Sequence, residues 1–352
     1  MIDLNNEEEM RYIDTHNMLS MLYHLPTQIE ETEKIVEEAS LPKVFRVDHI
    51  LVCGMGGSAI SGNILQSYLR RKLSIPIEVN RSYDLPKWVN RHTLVFSQSY
   101  SGDTEETLLA FKQAYEKHCQ IIAVSSDGRL EEYCKHRGIP HIKIPSGYPP
   151  RAAIGYLLFS MIFALKKIGI LQHNIEKEET ISILKEAREE FNEKISIDNN
   201  IAKQLAIKIH GSIPQIYSLD IYKPIAKRWM NQFAENSKLI SRYNVLPEAT
   251  HNDIVAWSFD ETLSKNFSCI FLRDSNEENS SMRSRVDFMK RILTPMGLNV
   301  EDVFPRGKKL LAKMMYLLYL GDYISCYLAF LRNVDPTPID AITELKKILS
   351  KK

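Results

Sequence analysis

The stretches HILVCGMGGSAISGN (49–63) and HTLVFSQSYSGDTEET (92–107) decide the fold of this 352-residue chain. Each begins with a short apolar run, which is typical of a buried β-strand, and passes through small residues into a segment with helical spacing. Strands that alternate with helices in this way form parallel sheets. The sequence therefore predicts an α/β fold in which helices cover both faces of a doubly wound parallel sheet.

The same alternation continues along the chain. Further apolar runs predict strands at 75–79, 120–125, 141–145, 213–219 and 268–273. The polar segment ILQHNIEKEET (170–180) interrupts the alternation between its two halves. We therefore predict an N-terminal helical segment (1–48), a first α/β domain (49–170) and a second α/β domain with the C-terminal helices (171–352).

Composition and charge exclude several classes of protein. The formal net charge of +1 gives no indication of a nucleic-acid partner. Five cysteines without a CxxC pair indicate reduced thiols in a cytoplasmic protein. The acidic segment MIDLNNEEEMRYID (1–14) does not have the pattern of a signal peptide. The run 310–331 is apolar but contains Lys313 and Asp322, so we expect a buried helix and no membrane partner.

The first candidate site is the turn Gly54-Met55-Gly56-Gly57-Ser58-Ala59 between a predicted strand and a predicted helix. Small residues allow a ligand to approach the backbone, and the amino end of the helix attracts anions. Gly57 and Ser58 are therefore candidates for binding phosphate, and Gly56 is a candidate for contacting another part of the ligand. Two alternatives remain open at this point: glycines that only relieve crowding, and a dinucleotide-binding GxGxxA turn with Glu78 as the ribose acid.

The second candidate site, Ser99-Tyr100-Ser101-Gly102-Asp103-Thr104, also joins a predicted strand to a predicted helix. Ser99, Ser101 and Thr104 place three hydroxyl groups within six positions, as a dianionic phosphate requires. The alternative is a helix N-cap formed by Ser101 or Asp103. A cap needs only one such side chain, so three hydroxyls favour a phosphate site.

Together these motifs resemble a known domain. Gly56-Gly57-Ser58 followed by 99–107 resembles the sugar isomerase (SIS) domain, a doubly wound sheet that binds phosphosugars. Other segments resemble the bifunctional phosphoglucose/phosphomannose isomerases: Tyr148–Tyr156, Trp229–Lys238, Asn244–Asp253, Tyr319–Asp322, Val334–Pro338 and Leu345–Lys346. The resemblance extends from about residue 50 to the C-terminus. It implies two SIS-type domains and isomerisation of a sugar 6-phosphate without a cofactor.

The resemblance also implies catalytic residues, whose chemistry agrees with the reaction. Glu235 is the candidate base that moves a proton between C2 and C1, a role that partial burial would favour by raising the pKa of its carboxyl group. His251 is the candidate for opening the sugar ring, since its ordinary pKa lies near 7. By residue type alone, a solvated helix glutamate and a structural histidine are the more ordinary interpretations, and the resemblance favours the catalytic ones.

Arg151, which follows Pro149-Pro150, is the candidate for stabilising the enediolate, although an ordinary cap or interface arginine has the same appearance. Lys346 corresponds to the family's C-terminal lysine, with Lys347 as the neighbouring alternative. Thr337 is the nearest candidate for the threonine that the family uses to accept mannose 6-phosphate.

No cluster of histidine or cysteine indicates a metal site, and no cofactor is expected. The resemblance implies a homodimer in which the neighbouring subunit contributes His251, and we expect at least one of the helices 152–169 and 310–331 to cross the interface. Three other functions remain open: a non-catalytic phosphosugar regulator, an NAD-binding enzyme, and an isomerase of an aminated sugar phosphate.

Overall fold

A computed structural model of the chain describes residues 2–259 and 261–349. The chain divides into two compact units, one comprising His24–Ile181 and the other comprising Met1–Tyr23 with Ser182–Lys352. Each unit contains a parallel sheet flanked by helices, which confirms the predicted fold class. The domain limits at residues 48 and 170 stay a prediction from the sequence.

Helices and strands alternate through the first half of the chain. The elements are α1 (Glu7–Ile13), α2 (Met18–Tyr23), α3 (Leu25–Glu38), β1 (His49–Cys53), α4 (Gly56–Leu69), β2 (Ile77–Asn80), β3 (Thr93–Gln98), α5 (Glu105–Glu116), β4 (Gln120–Ser125), α6 (Arg129–Arg137), β5 (His141–Lys143) and α7 (Ile154–Lys167). A one-turn 3-10 helix (Pro150–Ala152) precedes α7.

The second half repeats the alternation. Its elements are α8 (Lys177–Phe191), α9 (Ile201–Ile209), β6 (Ile213–Leu219), α10 (Lys223–Glu235), β7 (Arg242–Leu246), α11 (Asp253–Phe259), α12 (Glu261–Ser264), β8 (Phe267–Leu272), α13 (Ser280–Leu293), β9 (Asn299–Val303), α14 (Leu310–Leu331) and α15 (Asp340–Leu349).

The sheet of unit His24–Ile181 has the strand order β2–β1–β3–β4–β5, and all neighbouring pairs are parallel. The connections from β1 to β2 and from β3 to β4 run in opposite directions, so right-handed crossovers place α4 and α5 on opposite faces. The strand order therefore reverses between β1 and β3, which is where such sheets form a ligand-binding crevice.

The sheet of the other unit has the order β7–β6–β8–β9 and is also entirely parallel. The sequence did not predict β7 and β9. Both are edge strands in which every residue except the last is exposed or half-buried, and they lack the continuous apolar run of the buried strand β8. Pairing on one side only explains this weak signal.

Helices α7 and α14 are central core elements. Helix α14 is long and apolar enough to span a membrane, but it is completely buried within the chain. The predicted buried helix at 310–331 is thus confirmed. Residues 154–165 of α7 are buried as well. The expectation that one of these helices crosses a subunit interface is wrong, because neither leaves an apolar face exposed.

Candidate active site

Two loops meet at the carboxyl ends of β1 and β3. The strands are neighbours, paired from His49↔Thr93 to Cys53↔Ser97, so the segments that follow them lie side by side. A Cβ atom added to Gly54 would lie 2.9 Å from the carbonyl oxygen of Gln98. Only glycine fits at this position, and its close packing joins the two candidate phosphate loops.

The first loop opens helix α4. Gly56 has a φ of +50° and open space around it, while Ser58 is almost fully buried. Among the described residues no side chain caps the amino end of α4. A Cβ atom on Gly57 would lie 2.8 Å from the carbonyl oxygen of Pro150. The start of α4 and the backbone before Arg151 are therefore in direct contact.

The three hydroxyl groups of the second loop differ in burial and in hydrogen bonding. The Ser99 hydroxyl donates to Thr104 Oγ1 at 2.9 Å and accepts from the Thr104 N–H at 3.3 Å. Ser99 is 1% exposed, whereas Thr104 is half-buried and Ser101 is exposed. Ser101 Oγ accepts from the Asp103 N–H at 3.4 Å. A paired Ser99–Thr104 hydroxyl set at the amino end of α5 can reorient to donate to an anion.

The segment after β4 supports the second loop. Gly102 has a φ of +74°, and a Cβ atom there would lie 1.7 Å from the carbonyl oxygen of Asp127. The Ser126 hydroxyl donates to the Tyr100 carbonyl oxygen at 2.7 Å, and the Leu130 N–H donates to the Gly102 carbonyl oxygen at 3.0 Å. These contacts hold the loop in one shape.

Arg151 is 3% exposed and lies in the 3-10 turn beside Gly57. The turn is fixed from the other side, because Gln28 Nε2 donates to the Ala152 carbonyl oxygen at 2.8 Å. A buried guanidinium keeps its charge, so it can stabilise a developing oxyanion. The structure thus brings Gly57, Ser58, Ser99, Thr104 and Arg151 into one connected group.

Glu235 lies in the other unit, as the last residue of α10, and is half-buried. Its neighbours Phe233, Asn236 and Ser237 are fully buried. The Asn236 amide donates to Ser325 Oγ at 2.9 Å, and the Ser237 hydroxyl donates to the Ser325 carbonyl oxygen at 2.6 Å. The carboxylate therefore stands at the end of a firmly anchored helix.

The segment containing Thr337 lies beside this helix end. Lys238 Nζ donates to the carbonyl oxygens of Asp335 and Pro336 at 3.0 and 3.2 Å. The Thr337 N–H donates to Asp335 Oδ1 at 2.8 Å. Burial raises the pKa of Asp335, but hydrogen bonds from Thr15, Thr337 and His16 outweigh it and hold the pKa below its ordinary value. The structure thus brings Glu235 and the Thr337 segment together.

His251 is exposed and ends the one-turn helix that follows β7. Helix α10 connects β6 to β7, so it begins at the carboxyl edge of the sheet and Glu235 ends near the amino edge. His251 follows the carboxyl end of β7. The length of β7, roughly 16 Å for five residues, therefore separates Glu235 from His251 of the same chain. The structure does not bring these two predicted catalytic residues together.

Lys346 and Lys347 both lie on α15, in which no described residue is buried. Both side chains are exposed, so the structure gives no preference between the two candidates. No group of three His, Cys, Asp or Glu residues that could hold a metal occurs in the described part of the chain.

Two features around Glu235 were not predicted. Arg228 of α10 and Asp322 of α14, which are 94 positions apart in the sequence, form a buried ion pair between the two helices. Lys238 links the end of α10 to the Asp335–Pro336 backbone. Neither has a local pattern that could reveal it, since each depends on a long-range contact.

Comparisons with known proteins agree with the resemblance predicted from the sequence. The family model described as bacterial phospho-glucose isomerase C-terminal SIS domain matches residues 198–349. A bifunctional phosphoglucose/phosphomannose isomerase of Caldicellulosiruptor bescii is 38% identical over 336 residues, covering 95% of this chain and 99% of that protein. A protein of the same description from Aquifex aeolicus is 34% identical over 303 residues, covering 86% and 90%.

A solved structure shows the same fold. A glucose-6-phosphate isomerase like protein from Thermus thermophilus aligns with a TM-score of 0.65 and 19% sequence identity. The alignment covers 99% of this chain and 100% of that one.

Proposed function

Because the chain belongs to the family of bifunctional phosphoglucose/phosphomannose isomerases and is an aldose–ketose isomerase, we propose that it interconverts glucose 6-phosphate and mannose 6-phosphate with fructose 6-phosphate. The proton transfer proceeds through a cis-enediol and needs no metal. The observation that carries the proposal is the group of paired hydroxyls and buried Arg151 at the β1/β3 reversal.

The substrate phosphate binds at the two loops of unit His24–Ile181. The Ser99, Ser101 and Thr104 hydroxyls donate to the phosphate oxygens, together with Ser58 and the backbone at Gly57. Two helix amino ends, of α4 and α5, add their positive dipole ends. Hydroxyl groups, backbone N–H groups and helix dipoles thus bind the phosphate dianion without a positively charged side chain. The Arg151 guanidinium remains available for C1 and C2 of the sugar.

The reaction begins with ring opening and continues with a proton transfer. His251 donates a proton to the ring oxygen as its bond to C1 breaks, while the C1 hydroxyl releases its proton to water and becomes the carbonyl. Lys346 assists by contacting the sugar oxygens. The Glu235 carboxylate then removes the proton from C2, and the electron pair moves toward the C1 carbonyl oxygen to give the enediolate. Arg151 stabilises the negative oxygen. The proton on O2 then passes to O1, so the negative charge moves to O2. Glu235 returns its proton to C1 as the C2–O bond becomes the carbonyl, which yields the ketose.

The two aldoses share one enediol because they differ only at C2, which loses its configuration in this intermediate. Mannose 6-phosphate presents its C2 hydrogen on the opposite face, so the open chain must rotate about C2–C3. Thr337 is the residue proposed to accept that second arrangement.

We further propose a cytoplasmic homodimer in which His251 of the partner subunit completes the site. The separation of Glu235 and His251 within one chain supports this arrangement. Exposed apolar side chains on the segment after His251 also support it: Val255, Phe259 and Leu263 are 64%, 91% and 63% exposed. The cytoplasmic location agrees with five free cysteines, among them Cys53, whose pKa burial raises to about 12.

The test is turnover of both aldoses by pure protein in EDTA and deuterated water. We expect fructose 6-phosphate from each, with solvent deuterium at C1, because a carboxyl proton exchanges with water before it returns. Activity that EDTA abolishes and a divalent metal restores would contradict the metal-independent mechanism. Binding of the sugar phosphates without turnover would identify a non-catalytic regulator instead.

A further inference from the structure

Helix α10 is fixed in the core along most of its length. Arg228 Nε and Nη2 donate to the two Asp322 carboxylate oxygens at 2.9 and 2.7 Å, and Gln232 Nε2 donates to Asp322 Oδ1 at 2.9 Å. All three side chains are at most 2% exposed. These contacts end one turn before Glu235. Directly after it, Asn236 and Ser237 bond to Ser325 of α14 at 2.9 and 2.6 Å, which ties the helix end to the core but not to the Asp335–Pro336 segment.

The backbone after Glu235 turns sharply at Lys238, which has a φ of +53°. This left-handed conformation suits glycine or asparagine and costs energy for lysine. The Leu239 N–H donates back to the Phe233 carbonyl oxygen at 3.0 Å, which closes the turn. A lysine at this position therefore costs backbone energy, which the contacts of its side chain can offset.

The Lys238 ammonium contacts four backbone carbonyl oxygens. Nζ lies 2.7 Å from the oxygen of Glu235 and 3.4 Å from that of Asn236, both at the negative end of the α10 dipole. It lies 3.0 and 3.2 Å from the oxygens of Asp335 and Pro336. One ammonium thus ties the residue that bears the proposed base to the segment that leads to Thr337.

We infer that Lys238 is a positioning residue that sets the place of the Glu235 carboxylate relative to the Thr337 segment. The inference rests on the proposed function, since it requires Glu235 to be the base. The Lys238 side chain itself is exposed, so its removal leaves no cavity or unpaired charge in the core. Its loss should act on the geometry of catalysis more than on folding.

Two variants separate these effects. Lys238→Met removes the ammonium, and Lys238→Gly also relieves the left-handed backbone. For both we expect kcat to fall by about 10- to 100-fold, the size of effect that a displacement of about 1 Å produces, with KM within about twofold of wild type. Lys238→Gly should unfold at or near the wild-type temperature. Lys238→Arg should recover part of kcat, because it restores a cation.

Lys167→Met is the matched control. Lys167 is also an exposed lysine at a helix end, and its Nζ contacts the carbonyl oxygens of Val36, Glu37 and Ala39 at 2.9, 2.6 and 2.6 Å. We expect this variant to keep the wild-type kcat. Wild-type kcat in both Lys238 variants, or a loss of kcat that matches Lys167→Met, would overturn the positioning role. Turnover by Glu235→Gln would instead overturn the proposed base.

Discussion

The hydroxyl groups of the second phosphate loop differ in their surroundings, and this difference decides their expected contributions. Ser99 is buried and bonded to Thr104, while Ser101 is exposed. The sequence predicts three equivalent hydroxyls at this place. It could not distinguish them, because their burial depends on how the segment after β4 packs against Gly102.

Ser99→Ala should raise KM for the sugar phosphates. One hydrogen bond to a charged group contributes about 1.5–3 kcal/mol, so kcat/KM should fall by roughly 10- to 100-fold with a smaller change in kcat. Steady-state kinetics on both aldoses measure this effect. The control is Thr107→Val in the first turn of α5. Its buried hydroxyl has no hydrogen-bond partner among the described residues, so the variant should be kinetically silent. Equal KM values for Ser99→Ala and wild type would remove Ser99 from the phosphate site.

At the scale of elements, α10 and α14 depend on a polar contact that no local pattern predicts. The apolar spacing of both segments indicates helices, and both exist. Their close approach is visible at Gly321, where a Cβ atom would lie 2.1 Å from Trp229 Nε1. The Arg228–Asp322 pair then fixes the register between the helices. Pairings of this kind connect distant positions, so a single sequence leaves them undetermined.

Asp322→Asn should destabilise the unit that contains both helices. The substitution removes the negative charge that faces the buried Arg228 guanidinium and places an N–H donor there instead. Breaking a buried ion pair in this way costs about 3–5 kcal/mol in the free energy of unfolding. The lower midpoint of denaturant unfolding measures the loss. Glu7→Gln is the control, since it breaks an exposed ion pair with Arg11 in the same unit, for which less than about 1 kcal/mol is expected. Equal midpoints for the two variants would show that the buried pair does not stabilise α10.

For the whole chain, the sequence predicts two α/β halves but does not predict which half the N-terminal helices pack against. Helices α1 and α2 group with the C-terminal half, where the Tyr319 hydroxyl donates to the Leu22 carbonyl oxygen at 2.9 Å and Lys203 Nζ donates to that of Leu4 at 2.6 Å. The polar N-terminal sequence has only a sparse apolar stripe, so it indicates helices without indicating their partners. The same limit applies to subunits: the residues around His251 indicate a catalytic role, and only the resemblance implies that the neighbouring chain uses it.

Mixed dimers test most directly whether Glu235 of one chain and His251 of the other act on one substrate. Chains that carry Glu235→Gln or His251→Ala are produced together with different tags, and the mixed dimer is isolated. Each parent dimer should lose at least about 100-fold in kcat, as expected for loss of an acid or base. One of the two sites in the mixed dimer is intact, so about half of the wild-type activity should return. A mixed dimer as inactive as its parents, or turnover by the Glu235→Gln dimer, would contradict the shared site.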